Sequence, residues 1–234
     1  MTGRADAPRS PDPVSASLIL GLAVGLFGVS FGVLAVAAGL TVWQALTMSL
    51  LVFTGASQFA AVAVVSSGGT EVAALGSALL LAARNGAYGL ALSDVLKGDL
   101  FRRLVAAHLV LDESTAMATA QRDPDQRERA FWLAGVSVFV SWNVGTMIGG
   151  VWGDAIGDVE RWGLDAAFPA GFVALVAPHL HRLDARVAAA LAVAIALVLV
   201  PIVPVGIPVL ASSLAVLVGL RVPPREVGRK ADRR

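Results

Sequence analysis

The chain of 234 residues contains no cysteine, which excludes disulfides, thiolate metal sites and cysteine nucleophiles by counting alone. It says nothing about redox compartment. Charge is scarce as well: 15% of residues are Asp, Glu, Lys or Arg, against about 25% in soluble domains. No charged residue occurs from Pro13 to Thr70, and further uncharged stretches run from Ala130 to Gly153, Ala166 to His181 and Val187 to Leu220. A water-soluble fold is excluded by these gaps, each close to or beyond the length that crosses a bilayer as a helix. The formal net charge of +1 comes with basic residues gathered at the ends of apolar runs, not on one face, so nucleic-acid binding is set aside. No H-E-x-x-H, Walker loop or dinucleotide fingerprint occurs, and no metal, cofactor or enzymatic activity is expected.

What remains is apolar sequence, with 56% hydrophobic residues and a mean hydropathy of +0.75. The runs are continuous rather than alternating, and backbone polar groups in hydrocarbon must pair within their own segment, so the expected fold is all-α: a polytopic helical membrane protein. Spans are predicted at 15–37, 43–66, 72–93, 131–152, 165–181, 186–202 and 206–221, which makes seven crossings. The polar stretch 94–130 holds the apolar piece Leu104–Leu111, which reads equally as a surface helix, a re-entrant piece or an eighth crossing. Domain organisation follows: a polar N-terminal tail over 1–14, one transmembrane domain over 15–221, and a basic tail over 222–234. The first apolar run is far longer than a signal-peptide core and reads as a retained helix. Arg221, Arg225, Arg229, Lys230, Arg233 and Arg234 place the C-terminus in the cytoplasm by the positive-inside rule. Counting back sets the acidic loop 153–165 outside and 94–130 inside, with the N-terminus outside for seven crossings and inside for eight.

Three features predict close packing and broken helices. Gly21, Gly25, Gly28 and Gly32 open a smooth stripe on the first helix, continued by Ala35 and Gly39, on which another backbone can lie. Phe53-Thr-Gly-Ala-Ser-Gln-Phe59 sets Thr54, Gly55, Ser57 and Gln58 in the middle of an apolar span, where unpaired polar groups are costly. Pro201, Pro204 and Pro208 divide the last apolar run. Interrupted helices of this kind expose backbone groups at midplane sites in transporters.

Arg84 and Asn85 lie inside the third span, where an ionisable group marks either function or a pairing with a structural carboxylate. Asp112 and Glu113 follow the apolar piece Leu104–Leu111; they become candidate proton carriers if that piece enters the membrane, and a solvated face if it does not. Trp142 and Asn143 sit mid-span, where packing and substrate contact read equally well. Gly28-Val-Ser-Phe-Gly32 matches the G-x-S-x-G nucleophile pattern, but it lies within an apolar helix, not at a strand-to-helix elbow, and the three histidines His108, His179 and His181 fall at span ends or loops. A serine hydrolase is therefore a remote reading.

The run Gly39–Ala61, with its Gly-Ala-Ser-Gln-Phe-Ala-Ala core, resembles the signature of the AzlC family, the large subunits of branched-chain amino-acid exporters. Arg84–Leu90, Asp112–Ser114, Trp142 with Gly145-Thr146, and Gly163–Pro178 follow in the same order, so the likeness covers about 15–221. The resemblance implies secondary export of apolar amino acids across the plasma (inner) membrane together with a small membrane partner of the AzlD type. On this reading Thr54, Gly55, Ser57, Gln58, Asn85, Trp142 and Asn143 contribute to a substrate site. A channel-like or accessory subunit without its own site is the alternative.

Overall fold

The computed structural model describes residues 12–156, 173, 177, 180–203 and 207–217, and every regular element among them is helical. Helix α1 (Pro13–Ala37) starts with Pro at its first turn and Asp12 as cap; α2 (Val42–Leu51) starts at a reciprocal Thr41–Gln44 capping box; α3 (Ala56–Ser66) follows the break at Thr54-Gly55. Helix α4 (Glu71–Ala91) is capped by Thr70, α5 (Leu100–His108) by Asp99, and α6 (Asp112–Thr119) carries two carboxylates in its first turn, where the helix dipole favours them. Then come α7 (Pro124–Ile156), α8 (Leu183–Leu199) and α9 (Ile207–Ser212). Helices α1 and α7 are long and apolar enough to cross a membrane. Exposed Leu18, Ile19, Leu22 and Leu26 on α1 give it the outward apolar face that hydrocarbon solvates.

Helix α7 serves as a ruler for everything before it. Gly21, Gly25, Gly28 and Gly32 of α1 lie against Ser137, Ser141, Trp142 and Thr146, in rising order, so α1 and α7 are parallel. A Cβ at Gly28 would sit 2.5 Å from the Trp142 carbonyl oxygen, and one at Gly149 would run into the Val29 carbonyl. The approach is backbone on backbone, and it is reciprocal: Ser137, Ser141, Gly145 and Gly149 form a second small-residue stripe on α7, spaced by four.

Helix α2 runs the other way along α7, with Val42 beside Gly150 and the Ser49 hydroxyl bonded to that of Thr146 at 3.2 Å. Its end brings Phe53 to Phe139, with ring centroids 4.8 Å apart. Helix α4 finishes at the opposite end of the ruler, where Arg127 donates to the Ala91 carbonyl at 2.7 Å and pairs with Asp94 at 3.3 Å. At about 1.5 Å per residue, α4 is about 32 Å long and α7 from Arg127 to Gly150 about 35 Å. Arg84, seven residues before the Ala91 contact, already lies beside Asp112 at the start of α6, so α4 runs against α7 and its start lies toward the Gly150 end. Helix α3, joined to it by a short turn and packed along it, leads from the middle back to the end where α2 began. The pair α2–α3 is a hairpin.

The pair α5–α6 is a second hairpin, from the other end. Arg102 pairs with Glu128 and lies 5.7 Å over the Trp132 ring, Leu109 packs on Gly135, and His108 reaches Phe139 at 5.7 Å; α6 then packs back along α7 to its start.

This arrangement differs from the hydropathy reading in two ways. The span predicted over 43–66 is two short helices, because Phe53 and Gly55 adopt positive φ (37° and 55°) and reverse the chain between them. Seven simple crossings would also set the helices at 15–37 and 131–152 antiparallel, whereas they are parallel, as either two returning pairs or an eighth crossing within 94–130 makes them. Most of the N-terminal tail, the C-terminal tail, the acidic loop beyond Ile156, most of the 165–181 span, and Pro204 and the end of the last span lie outside the described residues.

Candidate functional site

The two hairpin tips meet halfway along α7. Phe53, from the α2–α3 tip, contacts His108 from the α5–α6 tip at 5.7 Å, and both contact Phe139. One turn on, Trp142 stacks on Phe31 of α1 at 5.8 Å and meets Phe59 of α3 edge-on at 5.9 Å. The heart of the molecule is thus an aromatic cluster with a helix start on each side.

Both helix starts are closed in the same manner. The Gln58 Oε1 accepts from the Gly55 N–H at 3.2 Å, and the Ser114 Oγ accepts from the Leu111 N–H at 3.0 Å while donating to the Leu109 carbonyl at 2.6 Å. In each case the third helical residue reaches back to the cap and fixes the entry of the chain.

Their electrostatics differ. At the α6 start, Asp112 pairs with Arg84 of α4 at 2.7 Å and accepts from the Tyr88 hydroxyl at 2.5 Å; Glu113 beside it is half-buried. The α3 start holds no charge. Around it the Thr54 Oγ1, Ser57 Oγ, Gln58 Nε2 and Trp142 Nε1 are buried and have no hydrogen-bond partner among the described residues. Ser57, Gln58 and Trp142 are 1%, 0% and 4% exposed, which makes these missing partners significant.

The substrate-site candidates therefore divide. Thr54, Gly55, Ser57 and Gln58 come together with Trp142, whose ring lies 3.7 Å from where a Gly55 Cβ would stand. Asn143 is adjacent; its Nδ2 donates to the Phe139 carbonyl at 2.8 Å, and its Oδ1 is buried and unpartnered. Asn85 lies next to Arg84 on the half-buried face of α4, with no side-chain hydrogen bond among the described residues, and no described contact joins it to the α3 start. Arg84 takes the structural-carboxylate pairing, and its partner is Asp112. Ser30 of the G-x-S-x-G pattern is buried mid-helix and donates to the Leu26 carbonyl at 3.4 Å, far from elbow geometry.

Three participants escaped the sequence reading. Tyr88 is one turn beyond Arg84, so the spacing of four was the available signal. Ser114 is the third residue of its helix and legible as a cap once Asp112-Glu113 are taken as a helix start. Nothing in the sequence brings His108 to Phe53.

The family model described as AzlC protein matches residues 20–156, more than half of the chain. The chain belongs to the AzlC family. Within it, the chain is 26% identical over 160 residues to a Bacillus subtilis protein named "Branched-chain amino acid transport protein AzlC", covering 68% of this chain and 60% of that one. It is also 27% identical over 172 residues to a Helicobacter pylori "Uncharacterized membrane protein", covering 73% and 74%. No solved structure matches. The match of AzlC to residues 20–156 takes in α1 from Leu20 through α7, so it contains both hairpins and the aromatic cluster. The protein is a membrane protein of a transport-related, non-enzymatic family.

Proposed function

We propose that this chain exports branched-chain or other apolar amino acids across the plasma membrane as a secondary transporter, together with a small AzlD-type membrane subunit. The observation that carries the reading is the meeting of two helix starts at an aromatic cluster midway along α7, with unpartnered donors beside apolar rings. Such a place suits a molecule with a polar head and an apolar side chain.

In this reading α2–α3 and α5–α6 enter the bilayer from opposite faces, and α1, α4 and α7 cross it. Lys97, Arg102, Arg103, Arg122, Arg127 and Arg129 then share one side, which the positive-inside rule makes cytoplasmic, whereas the turns at 38–41 and 67–70 carry no Lys or Arg. The N-terminus is cytoplasmic as well. Asp112 and Glu113, at the α6 start where Arg84 pairs with Asp112, are the residues assigned to proton coupling.

The test is efflux from cells loaded with a leucine-containing dipeptide, with this chain and an AzlD-type partner present or absent. Faster leucine efflux with both is expected. Equal efflux with and without them overturns the reading.

A further inference from the structure

We infer that the start of α3 is a carboxylate subsite, formed by the backbone N–H groups of Ala56, Ser57 and Gln58 with the Ser57 hydroxyl and the Gln58 amide nitrogen. The inference rests on the transport reading above and names the part of the substrate that this break recognises.

Helix α3 has 11 residues, and its first intrahelical bond is from the Phe59 N–H to the Gly55 carbonyl at 3.0 Å. The three N–H groups before it have no intrahelical acceptor and carry the positive end of the helix dipole. The side chains at the same place supply the independent observation. Gln58 turns its Oε1 onto the Gly55 N–H at 3.2 Å, which keeps its amide nitrogen at the helix start, and that nitrogen has no acceptor among the described residues. The Ser57 Oγ, on the same first turn, is also buried without a partner among the described residues. Leaving one buried polar group unpaired costs about 1–3 kcal/mol, so two side-chain donors at one helix start call for an acceptor.

Both of these groups can donate, and no Lys or Arg stands among them: Pro13 to Thr70 and Ala130 to Gly153 contain neither, and Arg84 is engaged by Asp112. Neutral donors with a helix dipole suit a single carboxylate belonging to a net-neutral zwitterion better than phosphate or another multiply charged anion, which would bring uncompensated charge into the bilayer. Phe31, Phe53, Phe59 and Phe139 surround the place with the apolar wall that a leucine-like side chain needs.

The experiment is radiolabelled leucine binding to the purified full-length chain in lipid nanodiscs, competed with 4-methylpentanoate, which lacks the ammonium, and with 3-methylbutylamine, which lacks the carboxylate. Direct binding of labelled 4-methylpentanoate is measured in parallel. The acid is expected to compete and the amine to fail. Ser57→Ala is expected to weaken leucine and the acid alike by about tenfold, one lost hydrogen bond to a charged group. Leucine binding that only the amine displaces, or that Ser57→Ala does not weaken, overturns the subsite and leaves the transport reading standing. Binding of the acid without leucine supports the subsite and overturns the amino-acid reading. Binding of neither leucine nor the acid overturns both.

Discussion

Phe53 is held at φ 37°, in the left-handed region that side chains with a Cβ avoid, while its ring packs at 4.8 Å on Phe139 and at 5.7 Å on His108. The conformation costs about 1–2 kcal/mol and is maintained by those contacts, since aromatic pairs of this kind recover comparable energy. Gly tolerates the angle and Ala does not, so Phe53→Gly is expected to be more stable than Phe53→Ala by about 1 kcal/mol, the reverse of the usual order. Melting of the detergent-extracted variants, followed by size-exclusion fluorescence, checks this. Ala ranking above Gly would mean that the tip is not left-handed. At the Arg84–Asp112 pair the balance is electrostatic. Removing one member strands a charge in a half-buried place, whereas removing both does not. Asp112→Asn and Arg84→Gln should each lower the melting temperature, and the double variant should lie above the lower single. Simple additivity of the two losses would show that the pair contributes nothing.

Between elements, the decisive contact is α1 on α7. The stripe on α1 was legible because glycine in apolar sequence repeats at helical spacing; its counterpart on α7 was hidden because half of it is serine, at 137 and 141. Gly28→Ala would place a methyl 2.5 Å from the Trp142 carbonyl, a backbone atom that cannot rotate away. Overpacking of this sort costs about 1–3 kcal/mol. Gly86, in the last third of α4, meets nothing within 4 Å of its Cβ position, so Gly86→Ala should leave stability unchanged or raise it by up to about 1 kcal/mol through helix propensity. The same melting measurement separates them, and an equal response at both positions would contradict the close approach of α1 and α7. The break in the first hairpin was also legible, since Thr54-Gly55 interrupts an apolar run. That in the second was legible only as a place where apolar sequence meets Asp112-Glu113, without glycine or proline to mark it. Which way each chain leaves its break could not be read at all: hydropathy measures the length of apolar sequence, and a hairpin that enters and returns has the same composition as one broken crossing.

At the scale of the whole molecule, that ambiguity becomes a question of sides. A single crossing over 43–66 puts the turns that flank it on opposite faces of the membrane, whereas a hairpin puts them on one. The natural lack of cysteine allows a direct test at exposed positions: Ala37 before α2, Ser67 after α3, Lys97 before α5 and Arg122 after α6. Each is replaced singly by cysteine and exposed to an impermeant thiol reagent in intact cells, then in inverted vesicles. Ala37→Cys and Ser67→Cys should label from outside, and Lys97→Cys and Arg122→Cys from the cytoplasmic side, because the second pair shares its face with the basic residues around α5 and the start of α7. The parallel packing of α1 and α7 makes the outcomes interdependent. The chain emerges from α1 on one face and enters α7 from the other, so α2 to α6 must make a net odd number of passages; α4 alone supplies it if both hairpins return. Opposite labelling of Ala37→Cys and Ser67→Cys would make the first hairpin a crossing and would then require the second to cross as well. Opposite labelling within one pair, with like labelling in the other, is incompatible with the packing of Gly28 and Gly32 on α7 and would overturn the helix arrangement itself.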